Sequence, residues 1–198
     1  MAPIAVNWGP VGTWAGVAAT VLVVIVTALV ALGYFDRFKR PRIRITFEQV
    51  EPWCRHGTTE QEGDVLWVRV GVENRGKAPA RGCVGRLIAV TTDGELRHDV
   101  DPVQLRWAGL PRARAFDPID LRRDQREYLN VLYGPGQSRW ELVTFDDPDF
   151  DPGFATSLPI DQRQLFQISV FSDNADTVTN SLLFEPARDG RDSVLKLV

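Results

Sequence analysis

The chain offers few side chains able to do chemistry. Its two cysteines and two histidines, Cys54, His56, Cys83 and His98, are the only thiol and imidazole donors present, and together they would make a four-coordinate zinc set. Cys54-x-His56 followed by two widely spaced donors lacks the close pairing of zinc modules, so two free thiols are the expectation, with Cys83 on a strand. On the outer side of a membrane a Cys54 to Cys83 disulfide would be expected instead. Asp147, Asp149 and Asp151 alternate as in a calcium loop, which gathers hard oxygen ligands. Pro152 stands where that loop needs glycine and Leu158 where it needs the bidentate glutamate, so a solvated acidic loop is expected, with no metal and no other cofactor. Neither a Gly-x-Ser-x-Gly elbow nor a Gly-rich phosphate loop occurs, and acid neighbours such as Asp146 with Asp147, or Asp117 with Asp120, arise by composition alone. An enzyme is not the expectation. Of Trp53, Trp67, Trp107 and Trp140, Trp67 shares a strand face with Arg69 and Glu73 and is the candidate for a partner patch.

Charge is distributed unevenly. Residues 1–35 carry no charged side chain, and Arg37, Lys39, Arg40, Arg42 and Arg44 follow within ten positions. From Ile45 onward 18 Lys or Arg face 25 Asp or Glu, a surplus of seven negative charges. Such a domain is ill suited to nucleic acid, whose affinity for proteins comes mainly from neutralising phosphates.

The uncharged stretch must position everything that follows. Val11 to Phe35 is 25 residues, and at 1.5 Å per residue a helix of that length covers about 37 Å, against a hydrocarbon core of about 30 Å. A lone segment in lipid has to be helical to satisfy its backbone, whatever the β-branched content of Val21 to Val26. Trp8 and Trp14 at one end, and Tyr34 and Phe35 at the other, suit the two interfaces. A cleaved signal peptide, with Ala31-Leu32-Gly33 as cleavage site, is the rival, but no basic residue precedes the apolar run. The positive-inside rule then places the tail 1–10 outside and the domain in the cytoplasm. The same five cations are candidates for contact with anionic lipid headgroups. Gly12, Gly16 and Thr20 form a small-residue stripe that would let two such helices approach as a homodimer.

Beyond a basic linker, 36–42, the hydrophobic period becomes two. Ile43, Ile45 and Phe47 alternate with polar neighbours, as do Leu66, Val68, Val70 and Val72, then Phe166, Ile168 and Val170, and more weakly Val178, Leu182 and Phe184. Cys83 to Val90 and Glu127 to Tyr133 read as two further strands, less cleanly patterned. Asn74-Arg75-Gly76, Asp93-Gly94, Gly134-Pro135-Gly136 and Asp173-Asn174 supply turns. About seven strands over 43–187 predict an all-β antiparallel sandwich, immunoglobulin-like, with 188–198 as a C-terminal tail.

The run Val68-Arg69-Val70-Gly71-Val72-Glu73-Asn74-Arg75-Gly76-Lys77-Ala78-Pro79-Ala80 resembles the strand-turn-strand of CARDB-like and related immunoglobulin-like bacterial modules. The resemblance covers about 25 residues. It implies a sandwich used for binding or spacing. Such modules commonly lie outside the cytoplasm, which sets the resemblance against the basic cluster. Together these features predict a membrane-anchored interaction or scaffolding module with an unnamed protein partner, the alternatives being an extracytoplasmic envelope or adhesion domain and, least favoured, a tethered enzyme.

Overall fold

In the computed structural model the described residues are 9–31, 40–59, 63–135, 139–142, 157–159, 161–187 and 193–198. The chain divides into two compact units, Met1–Lys39 and Arg40–Val198. The first is built on one helix, α1 (Gly9–Ala31), which starts two residues before the expected boundary. Its stretch Trp14–Ala31 has a mean hydropathy of 2.4, and none of it is buried by protein. The helix is long and apolar enough to cross a membrane. Two of its hydroxyls are satisfied internally, Thr20 donating to the Gly16 carbonyl at 2.9 Å and Thr27 to that of Val23 at 2.8 Å.

The second unit is an all-β sandwich of two antiparallel sheets, each with seven strands numbered here in chain order. The first sheet runs β1 (Ile43–Thr46), β3 (Gly63–Asn74), β9 (Arg126–Pro135), β10 (Arg139–Leu142) and β11 (Ser157–Pro159), with β2 (Cys54–Thr59) also on β3 and β7 (Arg106–Trp107) on β9. The second runs β14 (Val194–Leu197), β13 (Val178–Glu185), β12 (Gln164–Phe171), β4 (Ala80–Thr92) and β5 (Glu95–Leu96), with β6 (Val103–Gln104) and β8 (Ile119–Leu121) on β4. The strand count exceeds the expected seven because several strands hold only two to four residues, too short to show a period.

Alternation does the packing. Val68, Val70 and Val72 of β3 face Leu87 and Val90 of β4, Phe166, Ile168 and Val170 of β12, and Leu182 and Phe184 of β13 in one core. Each such side chain contributes about 1.5–3 kcal/mol by leaving water. Gly85 leaves room for the opposite sheet, since an added Cβ there would lie 2.1 Å from Leu129 Cδ1. Two bulges explain the two poorly patterned strands. On β4, Leu87 pairs Ile168 and Ala89 pairs Gln167, so Ile88 is extra and both Leu87 and Val90 reach the core. On β9, Asn130 pairs Arg69 and Leu132 pairs Val68, so Val131 is extra, and Leu129, Val131 and Leu132 all point inward.

The expected turns differ in what they join. Asp93 and Gly94 both have positive φ, 48° and 92°, and close a two-residue hairpin between β4 and β5. Asn74 to Gly76 instead carries the chain from the first sheet to the second. Asn74 is fully buried, and its side chain uses its complete hydrogen-bonding capacity. Oδ1 accepts from the Arg42 and Gly76 amides at 3.1 and 2.9 Å, while Nδ2 donates to the Ala78 and Leu121 carbonyls at 2.8 and 2.9 Å. The Arg75 amide also donates to the Arg42 carbonyl at 2.8 Å. Arg40 to Arg42 therefore dock on the sandwich rather than forming the end of a linker, and a Cβ on Gly76 would stand 2.4 Å from the Arg40 carbonyl oxygen and the Arg42 nitrogen. The expected tail also departs from expectation: 194–197 is β14, with Leu195 buried and Gln49 holding the Ser193 carbonyl and the Leu195 amide.

Replacing Asn74 with Ala orphans two amides and two carbonyls, so thermal and denaturant unfolding of the full chain in detergent should show a loss on the order of 3 kcal/mol. Gly85→Val should cost about 1–3 kcal/mol in the same measurement, through overpacking against Leu129.

Candidate functional site, a basic cleft on the first sheet

The outward face of β3 carries residues of the opposite parity to the core, and the β9 bulge decides what stands beside them. By adding one residue, it brings both Asn130 and Tyr133 onto that outer face. Tyr133 and Val65 then bury a small apolar cluster against Trp67, whose ring lies 4.6 Å from that of Tyr133 at 50°. One step along, Arg69, Asn130 and Arg106 form a cross-strand row over β3, β9 and β7. Arg55 of β2 sits opposite Trp67. These residues, with His56, Gly57 and Gly109, line a cleft of about 310 Å³. Among the described lining residues none is acidic, although the domain as a whole has an acidic surplus.

Asn130 holds the centre of this cleft by accepting from Arg69 Nε at 2.9 Å. Burial first, then the positive fields of Arg55 and Arg106, lower the Arg69 pKa from its ordinary value, with Tyr128 opposing them. Arg55 is exposed and forms no ion pair among the described residues. Cations gathered along one cleft favour an anion there in electrostatic terms.

Beyond Arg69 the face closes. Gly71 leaves room for Trp53, since a Cβ there would lie 3.1 Å from Trp53 Nε1. Arg126 stands 5.3 Å over the Trp53 ring, which meets Tyr128 edge-on at 5.9 Å. The nearly buried Glu73 compensates with ion pairs to Arg75 at 3.0 Å and Arg126 at 3.4 Å. A hydrogen bond involving Tyr128 and the charge of Glu73 raise the Arg126 pKa, against its partial burial.

The zinc set is not gathered. Cys54 and Cys83 are buried free thiols on different sheets, His56 lies at the cleft, and His98 is exposed after β5. Among the described residues no three His, Cys, Asp or Glu converge as metal ligands. Asp117 pairs with Arg114 at 3.0 Å, and Asp120 accepts from the Gly82 amide at 3.0 Å, so both serve local structure. Asp146, Asp147, Asp149 and Asp151 lie outside the described residues, as do Arg37, Lys39, Trp8, Tyr34 and Phe35. Arg40, Arg42 and Arg44 are exposed on one face, alternating with buried Pro41, Ile43 and Ile45. Trp67 is half-buried as a cleft wall, and Trp107 belongs to the core.

Arg55, Arg106 and Asn130 were not candidates by spacing. A signal for two of them exists in Trp53-x-Arg55 and Arg106-Trp107, which echo Trp67-x-Arg69, but bringing the three together requires strand pairing across 75 positions. No protein-family model, curated protein or solved structure matches the chain.

Burial pushes both thiols up to about 11 from an ordinary 9.0. The folded state prefers them protonated, so their contribution to stability is complete below pH 9.0 and is lost as pH rises through about 11. Thiol alkylation of the folded chain at pH 8 should be slow and should become fast on denaturation. Fast alkylation of the native chain would contradict this.

Proposed function

We propose that the chain is a single-pass membrane protein whose sandwich is a cytoplasmic protein-interaction or scaffolding module, engaging its partner at the basic cleft. The cleft is the observation that carries this reading. It joins arginine forks to a tryptophan wall, and Arg and Trp are enriched where binding energy concentrates at protein interfaces. Its floor is a paired sheet rather than a loop, which limits the ordering cost of binding.

The membrane assignment is supported by the apolar length of α1. Orientation rests on Arg37, Lys39, Arg40, Arg42 and Arg44, all on the C-terminal side. The exposure of Arg40, Arg42 and Arg44 on one face also suits contact with anionic lipid headgroups. The stripe Gly12, Gly16 and Thr20 suits pairing of two helices, because small residues let their backbones approach closely. The arch at Asn74 to Gly76, passing from one sheet to the other, lies within the run Val68 to Ala80 that resembles immunoglobulin-like modules.

Protease added to intact cells should leave a C-terminal epitope uncut, and should remove it only after permeabilisation. Proximity labelling from the sandwich should recover protein partners that Arg55→Glu loses while the variant keeps its melting temperature. Cleavage in intact cells would refute the orientation, and an unchanged labelling profile would refute the role of the cleft.

A further inference from the structure

Granted the reading of the sandwich as an interaction module, the chemistry of the cleft narrows what the partner presents there. We infer that the cleft receives a phosphate monoester carried on a side chain of the partner protein. Arg55, Arg69 and Arg106 come from β2, β3 and β7, which span three inter-strand spacings across β9, about 14 Å. Side chains arriving from separate strands line the one cleft from different sides. A carboxylate is planar, carries one charge, and is met by forks within its own plane. A phosphate monoester is tetrahedral, carries about 1.5–2 negative charges at neutral pH, and offers three terminal oxygens. It therefore matches both the number and the spread of the cations. A phosphodiester carries a single charge, and the acidic domain repels the long runs of such groups found in nucleic acid.

Two more features give the phosphate a protein carrier. Trp67, backed by Tyr133, provides an apolar wall for the stem of the modified side chain. The cleft also opens at β2, which pairs only with β3 among the described residues. The Trp53 carbonyl accepts from the Arg69 amide, and the antiparallel alternation from that pair turns the backbone polar groups of His56 away from β3. An extended segment can lie along this edge while its phosphorylated side chain enters the cleft.

The test is calorimetric titration of the full chain in detergent. The probes are a blocked alanine pentapeptide centred on phosphoserine, its serine and glutamate counterparts, phenyl phosphate, and vesicles containing a phosphoinositide. The phosphopeptide should bind saturably and be displaced by phenyl phosphate, while the serine and glutamate peptides should not compete. Arg55→Gln, an exposed position, should weaken binding roughly tenfold without altering the fold, and Arg69→Gln at least as much. Binding confined to the vesicles, equal binding of the glutamate peptide, no saturable binding of any phosphate probe, or unchanged affinity in Arg55→Gln would each overturn the inference. If the phosphate probes fail while Arg55→Glu still loses labelled partners, the interaction module stands and the phosphate falls. If the phosphopeptide binds while labelling is indifferent to Arg55→Glu, the phosphate site stands and the module reading falls.

Discussion

One fully buried asparagine holds the frame on which the sandwich depends. The side chain of Asn74 bonds to the incoming segment at Arg42, to its own turn at Gly76 and Ala78, and to β8 at Leu121. Both lone-pair positions and both amide hydrogens are used, which aspartate, lacking the donors, and leucine, lacking both donors and acceptors, would not reproduce. The cost of an unpaired buried polar group makes the arrangement all-or-none. Through it, the first residues of the folded domain, the crossing between sheets and a strand of the second sheet take their positions from a single point.

The outer face of the first sheet depends on a second local device. An even alternation along β9 would have turned Leu132 outward and Tyr133 inward. The extra Val131 reverses that order, adding an apolar residue to the core and placing Asn130 and Tyr133 beside Arg69 and Trp67. Asn130 then orients a guanidinium that its neighbours repel. The same strand thus supplies core packing on one side and the scaffold of the cleft on the other.

Elements with a strict period were legible from sequence. The helix near Gly9–Ala31 and strands β1, β3, β12 and β13 all coincide with clear runs of apolar or alternating residues. β4 and β9 were visible but blurred, because a bulge shifts the parity halfway along each. β2, with Gly57 and exposed Arg55 and His56, has no alternation to read, and the shortest strands hold too few residues for any period. Trp67 and Arg69 were legible as neighbours on one face. Their companions were not, because Arg55, Arg106 and Asn130 join them through register, which belongs to pairs of strands rather than to either strand alone.

The sheet order has a kinetic corollary. Both sheets are centred on pairings between segments far apart in the chain, Val70 with Leu129 and Val90 with Phe166, with local hairpins such as β2 to β3 and β12 to β13 beside them. Such topologies fold slowly, because the entropy of closing long loops is spent before the contacts form. During that interval the valine-rich β3 has no partner for its hydrogen-bonding edges and exposes a sticky, aggregation-competent strand.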